Sequence, residues 1–156
     1  MQRPWNRPSL PVYSLSTCSG ENRNMNICTY VTSISMQPKR YIIGVYKQTY
    51  TLKLLQEQPE FLLQLLSEKQ YRLVQLLGKT SGYQHNKIIK LKEPIAYFQY
   101  HAYLEHAAAF ILCRAKEWTD AGDHYAILCD VITYRNLNPD PILTTDFLRK
   151  KKIIRA

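Results

Sequence analysis

The amino-acid sequence predicts a mainly β, barrel-like fold with short inserted helices, and three observations carry that expectation. Short runs rich in β-branched and aromatic residues recur along the chain with turn signals between them. Asp120-Ala-Gly-Asp123 separates two apolar runs late in the chain and marks a long hairpin. Helical spacing is confined to two short segments, residues 50–57 and 68–77. With 156 residues, 46% of them hydrophobic, the chain can bury one core without disulfides or a structural metal.

Residues 1–11 hold three prolines and no periodic pattern, which reads as an extended arm of the kind that packs on a partner subunit. Val12 opens a β-rich run that continues to Thr17. The polar stretch from Cys18 to Asn24 is a turn signal, and residues 25–35 read as one strand returning in a hairpin. Gln37-Pro38-Lys39 breaks the pattern, and Tyr41-Ile-Ile-Gly-Val-Tyr46 predicts a strand buried on both faces. Thr49 is an acceptable N-cap, Leu52 and Leu55 follow at helical spacing, and Pro59 stops the helix. Residues 61–67 suit either helix or strand, whereas 68–77 read as a helix ended by Gly78. A polar loop follows over 80–86, then extended segments over 95–98, 107–118 and 125–134. The organisation expected is an arm over 1–11, one domain over 12–148 and a basic tail over 149–156, where Arg149-Lys-Lys-Lys152 and Arg155 cluster.

Lys and Arg outnumber Asp and Glu by 21 to 12, a net charge of +9 that favours anionic partners. Cys18, Cys28, Cys113 and Cys129 form no C-x-x-C pair and have no histidine at zinc-finger spacing, so they read as reduced thiols of a cytoplasmic protein. No apolar stretch reaches membrane length and no leader pattern opens the chain, so a soluble, unprocessed protein is expected. Metal is not expected either. His101 and His106 do not form H-E-x-x-H and read as surface or interface residues. There is no G-x-S-x-G elbow, and no G-x-x-x-x-G-K or G-x-G-x-x-G loop among the five glycines, so a dinucleotide would be held without a Rossmann site. Twelve tyrosines and the basic excess also suit a nucleic-acid-binding β-barrel, but the tyrosines fall in apolar strands and the lysine cluster in a tail, which places that reading behind the others.

Three segments carry chemistry. Between Asn22 and Ser35, Cys28, Thr29, Thr32, Ser33 and Ser35 cluster beside Asn24 and Asn26. Small donors and acceptors of this kind suit a flat heterocycle approached closely by backbone, and they equally suit a polar edge strand. Lys47, Thr49 and Thr51 meet at a helix start, where free N–H groups and the positive dipole end favour a phosphate; simple capping explains Thr49 as well. Gly122-Asp123-His124 places an imidazole at a hairpin turn, either to touch a nicotinamide or pyrophosphate or merely as a surface residue.

The run from Val12 to Thr17, then Asn24-x-Asn26-x-Cys-Thr29, Ser33-x-Ser35-x-x-Pro38, Thr49-Tyr-Thr51 with its helix, Thr80-Ser-Gly82 and Gly122-Asp-His124 occur in this order over about residues 10–137. This order resembles the flavin reductase-like family of FMN-binding split β-barrels. The resemblance implies a homodimer in which two subunits form each site, FMN as cofactor and NADH or NADPH as electron donor. It further implies that Asn26, Ile27, Cys28, Thr29 and Tyr30, with Ser33 on the same hydroxyl-rich stretch, lie along the isoalloxazine ring. Lys47, Thr49 and Thr51 would hold the phosphate; Thr80, Ser81, Gly82 and Lys87 would close over the cofactor; His124 would contact the nicotinamide. Asn24 and Met25 stand where the family often has glycine and proline, and Tyr30 replaces a small residue, so it could stack on the ring or narrow the nicotinamide site. The expected activity is an NAD(P)H-dependent flavin oxidoreductase, with a flavoredoxin-like electron carrier reduced by a protein partner as the alternative.

Overall fold

The computed structural model describes residues 2–155. Seven antiparallel strands form one sheet in the order β2-β1-β5-β8-β9-β4-β3. They are β1 (Tyr13–Ser19), β2 (Asn22–Cys28), β3 (Val31–Met36), β4 (Lys39–Tyr46), β5 (Glu60–Leu65), β8 (Ala109–Asp120) and β9 (His124–Asn136); β6 (Ile95–Phe98) and β7 (His101–Leu104) form a separate hairpin. Three helices, α1 (Tyr50–Glu57), α2 (Leu73–Lys79) and α3 (Thr145–Lys150), complete the fold.

The expected single strand over residues 25–35 is two strands. β2 pairs with β1 through Cys28, and from Val31 the chain pairs with β4 instead. Thr29 and Tyr30 bridge the two outer strands of the order, with the Tyr30 carbonyl accepting from Gly44 N–H at 2.8 Å. The sheet thus curls into a barrel whose edges meet at a two-residue crossing: a split β-barrel. Each edge strand needs its own partner, which hydrophobic periodicity alone does not register.

The β1–β2 turn is shorter than the polar stretch suggested, because Ser19 pairs with Asn22 and Gly20 adopts φ 57°. Glycine takes that left-handed conformation without a Cβ penalty. β4 is not buried on both faces: Ile43 and Val45 enter the core, whereas Ile42 and Gly44 line surface concavities. β1 and β5 are the strands covered on both sides. Tyr13 and Leu15 face the barrel, while Ser16 donates to the Ala102 carbonyl of β7 at 2.6 Å. The β6–β7 hairpin, of which the first strand alone was expected, also buries His101, expected as a surface or interface residue, against Cys18 at 3.4 Å. Removal from water holds that imidazole below, and that thiol above, its ordinary pKa.

α1 matches its expected bounds, with Thr49 Oγ1 accepting from Leu52 N–H, and Leu52 and Leu55 plug one end of the barrel. The helix expected over 68–77 begins instead as a single 3-10 turn, Glu68–Gln70, capped reciprocally by Ser67 and Gln70, before α2 starts. Gly78 lies within α2 rather than ending it. A second apolar cluster outside the barrel gathers Met25, Leu66, Val74, Leu77, Leu104 and Leu148. The C-terminal segment joins it: α3 crosses residue 148, Ile153 and Ile154 pack on the same cluster, and Arg149 donates to Asp146 and to the Asn6 carbonyl. Asn6, Leu10 and Pro11 therefore lie against this chain's own C-terminal segment, with Leu10 N–H donating to Thr145 Oγ1 at 2.9 Å. No helix among the described residues is long and apolar enough to cross a membrane.

Candidate functional site

A cleft of about 440 Å³ opens where β2, the Thr29–Tyr30 crossing, the start of α1 and the loop after α2 converge. Of the residues singled out by sequence, Asn26, Ile27, Cys28, Thr29, Tyr30, Thr49, Thr51, Thr80, Ser81, Gly82, Lys87 and His124 all border it. Ser33 and Lys47 do not. Ser33 sits out on the β3–β4 hairpin, where its hydroxyl accepts from Lys39 at 2.6 Å. The Lys47 ammonium turns to Asp120 at 2.8 Å and lies 4.9 Å from the Tyr125 ring centre. Lys47 holds the Asp120 carboxyl below its ordinary pKa, as expected for an exposed acid beside a cation.

The inner wall is locked by Asn24, which the sequence reading set beside the hydroxyl cluster and noted as a departure from the family pattern without giving it a contact. Asn24 is buried, and its amide donates to the buried Thr51 hydroxyl at 3.0 Å. Gly82 presses on the same side chain: a Cβ at position 82 would stand 2.5 Å from Asn24 Oδ1 and 3.0 Å from Tyr50 Cβ. Asn24 thus ties β2 to α1 and to the loop over residues 80–82. Gly44, also unforeseen, leaves room for Tyr30, since a Cβ there would lie 3.0 Å from that of Tyr30.

The electrostatics favour an anion. Lys79 and Lys87 border the cleft with the short hydroxyls of Thr29, Thr49, Thr51, Thr80 and Ser81, and among the described residues no carboxylate does. Lys87 is buried, and the contact formed by its ammonium is donation to the Leu77 carbonyl at 2.9 Å. Burial without a counter-charge pulls its pKa from 10.5 down to about 8. An anionic group in the cleft would relieve that penalty. Cys28 offers no nucleophile, because burial raises its thiol to about 11.

At the mouth His124 stands between two tyrosines, with ring centres 5.3 Å from both Tyr30 and Tyr46. Asp123 contacts its Nδ1 at 2.7 Å, and this contact holds the Asp123 carboxyl low. No group of three or more metal-ligating side chains occurs among the described residues.

The fit to FMN can be judged from this donor set. A flat ring requires an exposed strand edge and small neighbours, which β2 and the Thr29–Tyr30 crossing provide at one end. A phosphate requires N–H groups, hydroxyls and cations, which the Thr49-capped helix start and the 79–87 segment provide at the other. The residues fit the group.

The family model described as "Flavin reductase like domain" matches residues 5–147. No curated protein matches the chain. Among solved structures, an NADH:FAD oxidoreductase of Streptomyces globisporus superposes with a TM-score of 0.80 at 17% identity, covering 90% of this chain and 83% of that one. An FMN-binding protein from Thermus thermophilus gives 0.78 at 20% identity over 87% and 75% of the two chains. Flavoredoxin from Methanosarcina acetivorans gives 0.74 at 18% identity over 82% and 69%. At these identities the likeness concerns the fold, a split barrel, and the family match spans most of the chain: the protein belongs to the flavin reductase-like domain family.

Proposed function

We propose that the cleft holds FMN and that the protein is a flavin reductase taking electrons from NADH or NADPH. The observation that carries this is the cleft itself, with a strand edge and aromatic mouth at one end and a capped helix start, hydroxyls and two lysines at the other. Bound FMN would supply the acceptor for a hydride from the nicotinamide. The chain's own part is binding and orientation. Main-chain groups of β2 and the crossing would fix the ring plane, Thr80 and Ser81 would donate to the phosphate at the helix start that Thr49 caps, and Lys87 would neutralise it. His124 would position the nicotinamide at the mouth.

Exposed apolar side chains on β3 and the end of β9, among them Ile34, Met36 and Tyr134, support a homodimer. Four free, buried thiols suit a reducing compartment such as the cytoplasm. Tyr30 favours a second reading, an electron carrier: with Tyr46 and His124 it fills the mouth through which a nicotinamide would have to enter.

One experiment separates these readings. The purified protein is mixed with FMN, its visible spectrum recorded, and NADH or NADPH added without oxygen. Bound-flavin bands that bleach support the reductase, and bands that persist until a protein donor is added support the carrier. A spectrum identical to free FMN rejects both.

A further inference from the structure

The basic segment over residues 149–155 is not a loose tail. Leu148 is buried, and Ile153 and Ile154 pack on the second apolar cluster, so the cations between them are held in place. The end of α3 is closed by two backbone bonds: Lys152 N–H donates to the Arg149 carbonyl and Ile153 N–H to the Leu148 carbonyl, both at 2.9 Å. This closure needs a left-handed residue just after the helix, a position usually filled by glycine. Lys152 fills it here, at φ 58°. A lysine there carries a backbone cost that glycine would not, and what it adds is one more charge in the row Arg149-Lys150-Lys151-Lys152.

The other end of the chain extends the same face. Arg149 donates to the Asn6 carbonyl, which sets the turn Pro4–Asn6 beside α3. Arg3 and Arg7 flank that turn, both exposed, and on it stands Trp5, 69% exposed, with the Arg3 guanidinium 5.9 Å from its ring centre. Asp146 engages Arg149 and Asp140 engages Lys69, which leaves Lys150, Lys151 and Lys152 without a carboxylate partner among the described residues. The Lys151 ammonium lies over the rings of Tyr71 and Phe147, at 5.6 and 5.5 Å, so Trp5 is the exposed ring of this face. None of these residues lines the cleft.

We propose that this face docks on the surface of an anionic phospholipid bilayer. A single strand of nucleic acid stacks successive bases on several free rings. One indole among point-like ammonium charges matches a headgroup layer instead, where Trp sits at the interface and lysines reach the phosphates. The proposal is independent of what the cleft holds.

Flotation of the full chain with vesicles of phosphatidylcholine alone, or with about 30% phosphatidylserine added, tests it. The protein should float with the anionic vesicles and not with the neutral ones, and about 0.5 M salt should release it. Lys150→Gln, Lys151→Gln and Lys152→Gln together should weaken the anionic partition about 100-fold, and Trp5→Ala about tenfold. Lys152→Gly should weaken it about fivefold while raising the melting temperature by about 2–4 °C, whereas a merely structural lysine would leave the partition unmoved. In a Trp118→Phe chain, where Trp5 is the one indole left, anionic vesicles should shift its emission to the blue. No flotation with anionic vesicles, equal flotation with neutral ones, or a partition unmoved by the triple replacement overturns the proposal. So does a single-stranded RNA that binds through the same lysines and Trp5 while vesicles do not, a result that assigns the face to nucleic acid.

Discussion

The inner wall of the cleft and its mouth are built on opposite principles. The wall is dry and interlocked: Asn24, Thr51 and Lys87 are 2%, 0% and 3% exposed, and Gly82 leaves no room for a methyl group. The mouth is exposed: Tyr30 and Tyr46 are 61% and 41% exposed and meet His124 through ring contacts, and the one polar contact to its ring comes from exposed Asp123. A close-packed, hydrogen-bonded wall resists repacking, whereas exposed rings change rotamer readily. The division suits a protein that must keep one ligand in register while another comes and goes. Substitutions in the wall should therefore strike cofactor affinity and stability together, and substitutions in the mouth should strike donor kinetics alone.

Gly82→Val should have the largest effect, because its branched side chain collides with Asn24 and Tyr50. FMN affinity should fall about 100-fold and the melting temperature by several degrees, read by flavin fluorescence titration and calorimetry. Equal affinity for FMN in this variant would break the idea of a rigid wall.

Lys87→Met should separate binding from stability. The fall from 10.5 to about 8 means that keeping the buried ammonium charged costs the ligand-free fold about 3 kcal/mol. Methionine keeps the length without the charge, so the ligand-free variant should resist urea better at pH 7 while binding FMN more than about tenfold more weakly. The pH dependence has a definite sign. Between about 8 and 10.5 the unfolded chain binds the proton that the folded chain has lost, so ligand-free stability rises across that window and is lost as pH falls back through 8. Affinity for an anionic ligand runs the other way and declines above pH 8. Both slopes should vanish in the methionine variant.

His124→Ala should raise the KM for NADH about fivefold and leave FMN affinity unchanged. Tyr30→Ala should lower that KM if the ring obstructs entry. A loss of FMN binding in either variant would erase the contrast between wall and mouth. Lys47→Ala should have the smallest effect, with FMN affinity moving less than about twofold, since an exposed ion pair with Asp120 contributes little.

Much of the frame was legible in the sequence because local chemistry decides it. Thr49 caps α1 as its hydroxyl and the leucine spacing require, and Asp120-Ala-Gly-Asp123 turns the long hairpin, with Gly122 at φ 96°. What was not legible depends on partners distant in sequence. Nothing local to residues 25–35 says that pairing passes from β1 to β4 at Thr29–Tyr30, or that His101 is roofed by its own hairpin. The same holds in the cleft. Lys47 and Thr49 are two residues apart, yet one side chain caps the helix at the cleft and the other points to Asp120, because the turn between strand and helix sends them in different directions. Asn24 escaped notice because the polar stretch that ends at it reads as a turn, where asparagine is ordinary, whereas its strand position is set by pairing with Thr17 of β1.

The chain's sulfur bears on how long the protein would last in use. Reduced flavin that meets oxygen yields peroxide, which attacks exposed thiolates before anything else. Cys18, Cys28, Cys113 and Cys129 are all buried, and burial drives each thiol away from the thiolate form, Cys129 to about 12. Among the described residues the exposed sulfur of the single chain is the thioether of Met36, 90% exposed on β3 and outside the lining of the cleft. Should the cleft cycle flavin in air, oxidation of the single chain would fall first on that thioether and only later on the four buried thiols.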